Sequence, residues 1–261
     1  MGTKKRLFLI LWSAGFAGIL SVLLIDLGNL MAILPPGVEV PQMSPLLLKA
    51  ISPIQPTLIL SVAVLIGVGL ASKVGLSAPV AESIARRVPW FPAFKPQIVP
   101  GIIGGIVGGL VIVLTAAASK PFLSTETVVL IGKFGNLLPL PTRILYGGVA
   151  EELLLRWGFM TLLVWAMWRL FQKSQGHAKP SHFVAAILIS SFVFGLGHLP
   201  IAFMLFPQPT LVLVIFVIVA NSTFGLVAGY LYWKKGLESA MIAHIFTHVV
   251  LFAASYFGSY F

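Results

Sequence analysis

The sequence predicts an all-α fold, a polytopic membrane bundle of about seven transmembrane helices, and three observations predict it. Hydrophobic residues make up 58% of the 261 positions and charged residues only 9%, with a mean hydropathy of +1.02; a soluble domain carries roughly 25% charged residues. Apolar runs recur at lengths that cross about 30 Å of hydrocarbon, which takes roughly 20 helical residues. The basic residues gather in clusters between those runs. They supply 17 positive charges against seven acids, a net charge of +10, and such an excess decorates the cytoplasmic loops of membrane proteins. A nucleic-acid partner is not implied. The absence of cysteine removes disulfides, thiolate metal sites and a cysteine nucleophile together.

The runs start near Leu7, Thr57, Pro100, Thr142, His182, Pro209 and Leu237. The first follows Lys4, Lys5 and Arg6, the charge pattern of a signal peptide. Its apolar core is too long for one and no small-residue cleavage site closes it, so it is expected to stay as the first helix. The second run is short before Lys73, and the Pro-rich connector GVEVPQMSPLLLKAISPIQP is a place for an interfacial or broken segment; a span there would make eight. After it, APVAESIARRVPWF has the basic, aromatic-tipped look of an interfacial helix. In the third run Gly101, Gly105 and Gly109 recur at four-residue spacing, as do Gly104 and Gly108, which lets neighbouring backbones approach closely. Gly225 and Gly229 in the sixth read the same way. No repeat is evident and no connector is large enough for a second domain, so residues 1–261 form one integral membrane domain.

With seven spans, the clusters at Lys4 to Arg6, Arg86, Arg87 and Lys95, Arg169, Lys173 and Lys179, and Lys234 and Lys235 all fall on one side. The positive-inside rule then puts the N-terminus in the cytoplasm and the C-terminus outside, as in a prokaryotic cytoplasmic membrane. Trp168 and Trp233 stand beside basic residues where interfacial anchors are expected.

Of the seven acids only Glu151 and Glu152 lie well inside a span, where burying a charge costs at least ~2.5 kcal/mol. Arg156 shares their run, and His198, His244 and His248 lie within runs five and seven. Ionisable groups at such depth face the bundle interior and partner one another. Glu152 and Arg156, four apart, can form a neutralising pair on one helix face. Glu151 points about 100° away from its neighbour on an α-helix and is free to face a cavity. His244 and His248, one turn apart, can present two nitrogens to one point. His198 comes from another helix, next to a break expected at Pro200. At 1.5 Å per residue Glu151 and His248 come out level, with His198 and His244 above and below. Asn221 suits a helix-to-helix hydrogen bond as well as a site role, Phe194 reads as packing, and His177 and His182 read as solvated loop residues.

In order and spacing, EELLLR (Glu151 to Arg156), FGLGH (Phe194 to His198) and HIFTH (His244 to His248) resemble the EExxxR, FxxxH and HxxxN motifs of the CAAX-processing and bacteriocin-processing intramembrane proteases, also called the Abi proteins. The likeness covers roughly residues 140–255, including Gly225, Gly229 and Tyr230. It implies an endopeptidase acting at or within the membrane on a peptide or membrane-protein substrate of the prenylated or leader type. By that resemblance Glu151 is the general base that activates water, His198 helps to hold the water or a metal, and His244 and His248 stabilise the oxyanion or complete a metal site. Glu152 and Arg156 would brace the helix. Two departures stand out. His248 occupies the place where the third motif commonly ends in Asn, which strengthens the case for zinc on Glu151, His198, His244 and His248. Trp157 separates the arginine from the following glycine, which bears on packing more than chemistry. No organic cofactor is implied.

The chemistry agrees with the resemblance. Amide hydrolysis needs an activated water and stabilisation of a tetrahedral oxyanion, and imidazole serves as ligand or donor. Other intramembrane protease designs lack their residues here: there is no HExxH, no GxSG, and Asp26 is the single aspartate. An ion-coupled transporter, which also places Glu and His at mid-membrane, and a non-catalytic binding or immunity protein are the alternatives from other classes.

Overall fold

The computed structural model describes residues 1–36, 38 and 43–258. Every regular element among them is helical, and seven helices are long and apolar enough to cross a membrane: Thr3–Leu24, Pro45–Lys73, Phe91–Phe122, Leu140–Phe171, Pro180–Leu205, Leu211–Lys234 and Leu237–Tyr256. They are called spans 1 to 7. The all-α expectation and the count of seven therefore hold. Gly37 and residues 39–42 of the Pro-rich connector lie outside the described residues.

The structure extends three spans towards their N-termini relative to the sequence expectation. Span 1 begins at Thr3, with Lys4, Lys5 and Arg6 in its exposed or half-buried first turns. Span 2 begins in the connector as the short helix Pro45–Ile51, capped by Ser44 Oγ, and continues at Ile54–Leu70 after an interruption at Ser52 and Pro53. The broken segment expected there is thus part of the second span, and it adds no eighth. Lys49 is accommodated because its Nζ donates to Leu23 O at 3.0 Å. Span 3 starts at Phe91 and runs through Pro96 and Pro100. Prolines forfeit backbone N–H bonds, and buried Gln97 ties the weakened turns down: its Nε2 donates to Ala93 O, while its Oε1 accepts from Ser239 N at the start of span 7.

The glycines of span 3 do what their spacing predicts. A Cβ at Gly101, Gly105 or Gly109 would meet Ile242, Phe246 or Val250 of span 7, and Thr247 Oγ1 donates to the Gly105 carbonyl at 3.0 Å. Gly225 and Gly229 admit Ser191 and Ile187 of span 5 in the same manner. Trp157, the departure from the family pattern, is buried over Gly67 of span 2 and edge-on to Tyr232. The expected interfacial helix is Pro79–Arg86, where Glu238 Oε1 accepts from Ala81 N at 2.9 Å. At the basic end Lys234 Nζ lies 3.5 Å over the Trp233 ring, and Trp168 Nε1 reaches Gly176 O. His177 is exposed as expected, whereas His182 is half-buried in the first turn of span 5.

Candidate active site

Span 4 departs from the geometry used to read its sequence. From Arg143 to Glu151 and again from Leu153 to Met160 its turns are π-helical, with hydrogen bonds to the fifth residue rather than the fourth; such wide turns are rare and concentrate at functional sites. At the return to α-helix, Thr161 Oγ1 donates to Arg156 O, five residues back. The 100° step between Glu151 and Glu152 therefore does not apply, yet the two carboxylates still part company. Glu152 is fully buried and Glu151 is only partly so, on the wall of a cavity.

The cavity measures about 710 Å³ and is bounded by Glu151, His198, His244, His248, Asn221 and Arg143 among others. That falls within the ~300–1,000 Å³ of ordinary ligand pockets. Glu151, His198, His244 and His248 were predicted to converge, and all four meet on this surface. Asn221 lines it too, but its Nδ2 bonds back to Val217 O of its own helix rather than to a neighbour.

Behind the wall lies a fully buried relay. Arg156 Nε stands 3.2 Å from Glu152 Oε2, and Glu152 Oε1 accepts a 2.8 Å hydrogen bond from His244 Nδ1. The arginine contact is a charge pair without hydrogen-bond alignment, since neither Glu152 Oε2 nor Arg156 Nε has an aligned partner. Arg156 is held further by Gly225 O, 3.2 Å from Nη2, and by the faces of Phe194 and Phe224 at 5.0 and 5.8 Å. Two roles therefore widen. Glu152 orients His244 besides pairing with Arg156, and Phe194, read as packing, also covers the guanidinium and stands edge-on to His198 at 4.8 Å.

These contacts fix tautomers. His198 Nδ1 lies 2.9 Å from the Phe194 carbonyl; a carbonyl only accepts, so Nδ1 carries the proton and Nε2 presents a lone pair. A carboxylate likewise accepts from His244 Nδ1, leaving its Nε2 directed at Glu151 Oε2, 3.9 Å away. Orientation of an imidazole by a buried carboxylate on the far nitrogen is the arrangement that hydrolytic triads and metal sites share. His248 stacks on His244 with ring centres 5.0 Å apart. Sequence reasoning missed Phe224, whose ring lies 4.3 Å from that of His244, and Gly147, where a Cβ would come within 2.5 Å of His248 Nε2 and 3.4 Å of His244 Nε2. The YGG stretch one turn before the glutamates was the available signal for Gly147; Phe224 had none.

Zinc requires its donors about 2.0–2.2 Å from one point. Among the described residues no three His, Asp or Glu side chains are gathered closely enough to hold one ion. The donor types suit zinc; their arrangement does not.

Residues 133–250 match the family model described as Rce1-like, Type II CAAX prenyl endopeptidase. The matched segment contains all three motifs, spans 4 to 6 and the larger part of span 7, in agreement with the resemblance read from those motifs. It supports CAAX-type intramembrane endopeptidase activity in general, with a peptide substrate and the lipid bilayer as partners. No curated protein and no solved structure gives a match.

Proposed function

We propose that the chain is an intramembrane endopeptidase in which Glu151 activates water against a peptide bond of a membrane-associated substrate. The observation that carries the reading is the buried Arg156–Glu152–His244 relay, which directs His244 Nε2 at Glu151 on the cavity wall. A structural salt bridge would not need the imidazole or the open face beyond it.

The residues divide the work as follows. Glu151 takes a proton from water as the water oxygen attacks the scissile carbonyl, and later delivers it to the leaving amine. The water's second hydrogen is accepted by the Nε2 lone pair of His198 or of His244, which sets its direction. His248, whose tautomer no carbonyl or carboxylate fixes among the described residues, donates to the developing oxyanion. His244, whose single proton is engaged by Glu152, has none to donate to the oxyanion. The aromatic faces of Phe194 and Phe224 exclude water behind the site, where electrostatic interactions gain strength.

The substrate on this reading is a prenylated or leader-type peptide, and the membrane is the cytoplasmic membrane of a prokaryote with the N-terminus inside. Comparing new peptide N-termini from cells expressing the wild type or Glu151→Gln at matched levels tests the activity. Termini present only with the wild type are expected. Identical sets, with both proteins folded, would remove the peptidase reading in favour of a binding or immunity role.

A further inference from the structure

We infer that the catalytic cavity is reached from the face opposite the basic loops, so that the enzyme acts on a peptide presenting its scissile bond at the non-cytoplasmic side of the membrane. The inference rests on the peptidase reading for its substrate, and on charge and cavity geometry for its direction.

The charges give the orientation. The N-terminal segment and the connectors joining spans 2 to 3, 4 to 5 and 6 to 7, with the adjoining helix ends, carry twelve of the 17 lysines and arginines. At the opposite end stand Lys49, Lys120, Lys133 and Arg143, offset in part there by Asp26 and Glu126. So large an asymmetry in short loops sets the basic end in the cytoplasm.

The cavity gives the route. Its walls come from the last turns of span 1, the broken start of span 2, the connector helix Thr125–Leu137, the first half of span 4 and the latter half of span 5. Mid-span residues of spans 6 and 7 close its floor. No residue of the basic connectors 74–90, 172–179 or 235–236 lines it. At its outer rim Ser52 and Gln55 are exposed, while His244 at its inner end is 4% exposed. The passage thus runs from the weakly charged end inward and stops at the histidines. A substrate on the basic side would have to cross the packed ends of spans 3, 6 and 7, where Gln97 and Ser239 are buried and bonded to each other. Prenyl chains are attached to proteins in the cytosol. Access from the other face therefore favours an exported or leader-type peptide, anchored with its cleavage site beyond the outer end of a span, over a prenylated C-terminus.

The cysteine-free chain makes a direct test available. Single cysteines are placed by Gln55→Cys at the rim and Gln175→Cys in the connector between spans 4 and 5, both at exposed positions. Intact cells are treated with a membrane-impermeant maleimide and, in parallel, after permeabilisation. Labelling of Gln55→Cys in intact cells, with Gln175→Cys labelled only after permeabilisation, is the expected result; the reverse pattern overturns the inference. This readout does not depend on catalysis, so an absence of Glu151-dependent cleavage would defeat the peptidase reading while leaving the orientation standing. Where cleavage is present, a bulky maleimide at Gln55→Cys is expected to reduce it at least tenfold. Undiminished cleavage at full labelling would overturn the access route.

Discussion

Replacing Glu152 by glutamine changes one buried oxygen into an amide nitrogen and removes one charge. Its consequences follow from its neighbours. Wild-type Glu152 faces donors on both sides, His244 Nδ1 at 2.8 Å and Arg156 Nε at 3.2 Å. Glutamine has one acceptor oxygen, so its NH2 must face either the imidazole N–H or the guanidinium. With its oxygen towards the imidazole the amide opposes its NH2 to the guanidinium; turned the other way it avoids two opposed donors only if His244 moves its proton from Nδ1 to Nε2, in a site without solvent exposure. Removing one partner of a buried ion pair typically costs about 3–5 kcal/mol, because the remaining charge is left uncompensated. Here the lower end applies. The pair is not aligned as a hydrogen bond, and Arg156 retains the Gly225 carbonyl and the faces of Phe194 and Phe224. For a chain of this size about 3 kcal/mol corresponds to a fall in Tm of roughly 6–12 °C. Thermal unfolding in detergent measures it, with Arg156→Met and the double variant completing a cycle. The double variant should lose less than the sum of the singles by at least ~1 kcal/mol. A Glu152→Gln protein that melts with the wild type, or strict additivity in the cycle, would refute the relay as the element holding spans 4 and 7 together.

Further outcomes separate chemistry from scaffold. Glu151→Gln faces the cavity with no hydrogen-bond or ion-pair partner among the described residues shorter than the 3.9 Å contact to His244, so its Tm should stay within about 2 °C, a shift of less than ~1 kcal/mol, while cleavage disappears; retained cleavage would remove Glu151 as the base. Gly147→Ala places a methyl against His248 Nε2 and His244 Nε2; cleavage should drop at least tenfold, and the double variant Gly147→Ala/His248→Ala should cleave no less than His248→Ala alone, whereas a further loss in the double variant would count against displacement of His248 as the defect. Gly105→Ala drives a methyl into Phe246 Cβ of span 7 and should destabilise by about 1–3 kcal/mol through overpacking, read as a lower Tm, with a neutral result arguing that spans 3 and 7 can separate freely. Elemental analysis of purified active protein should find zinc far below one equivalent, and dialysis against a chelator should leave cleavage unchanged; stoichiometric zinc lost together with activity would replace the glutamate-and-water reading by a metal-dependent one.

The sequence by itself determined the solvent of this protein, the number of its spans and the set of residues that needed an explanation. Those properties follow from local composition: an apolar run of sufficient length must satisfy its backbone as a helix in lipid, and a charge placed within it must find company. The glycine spacing of span 3 was legible for the same reason, since a missing side chain every fourth residue marks a face that a neighbour can approach. Only the tertiary structure decided which carboxylate does what. Glu151 and Glu152 are adjacent and chemically alike, and the α-helical period assumed for them is not the one span 4 adopts. Their division into cavity wall and buried relay depends on where His244, Phe194, Phe224 and the Gly225 carbonyl arrive from three other spans. The tautomers of His198 and His244 were equally out of reach, because each is set by an acceptor, one a backbone carbonyl and one a side chain on a different helix. Span 3's early start through two prolines was hidden for a related reason: the compensating amide of Gln97 acts through span 7. Periodicity and composition report what a residue must avoid, whereas its partner is fixed by the packing of segments far apart in the chain.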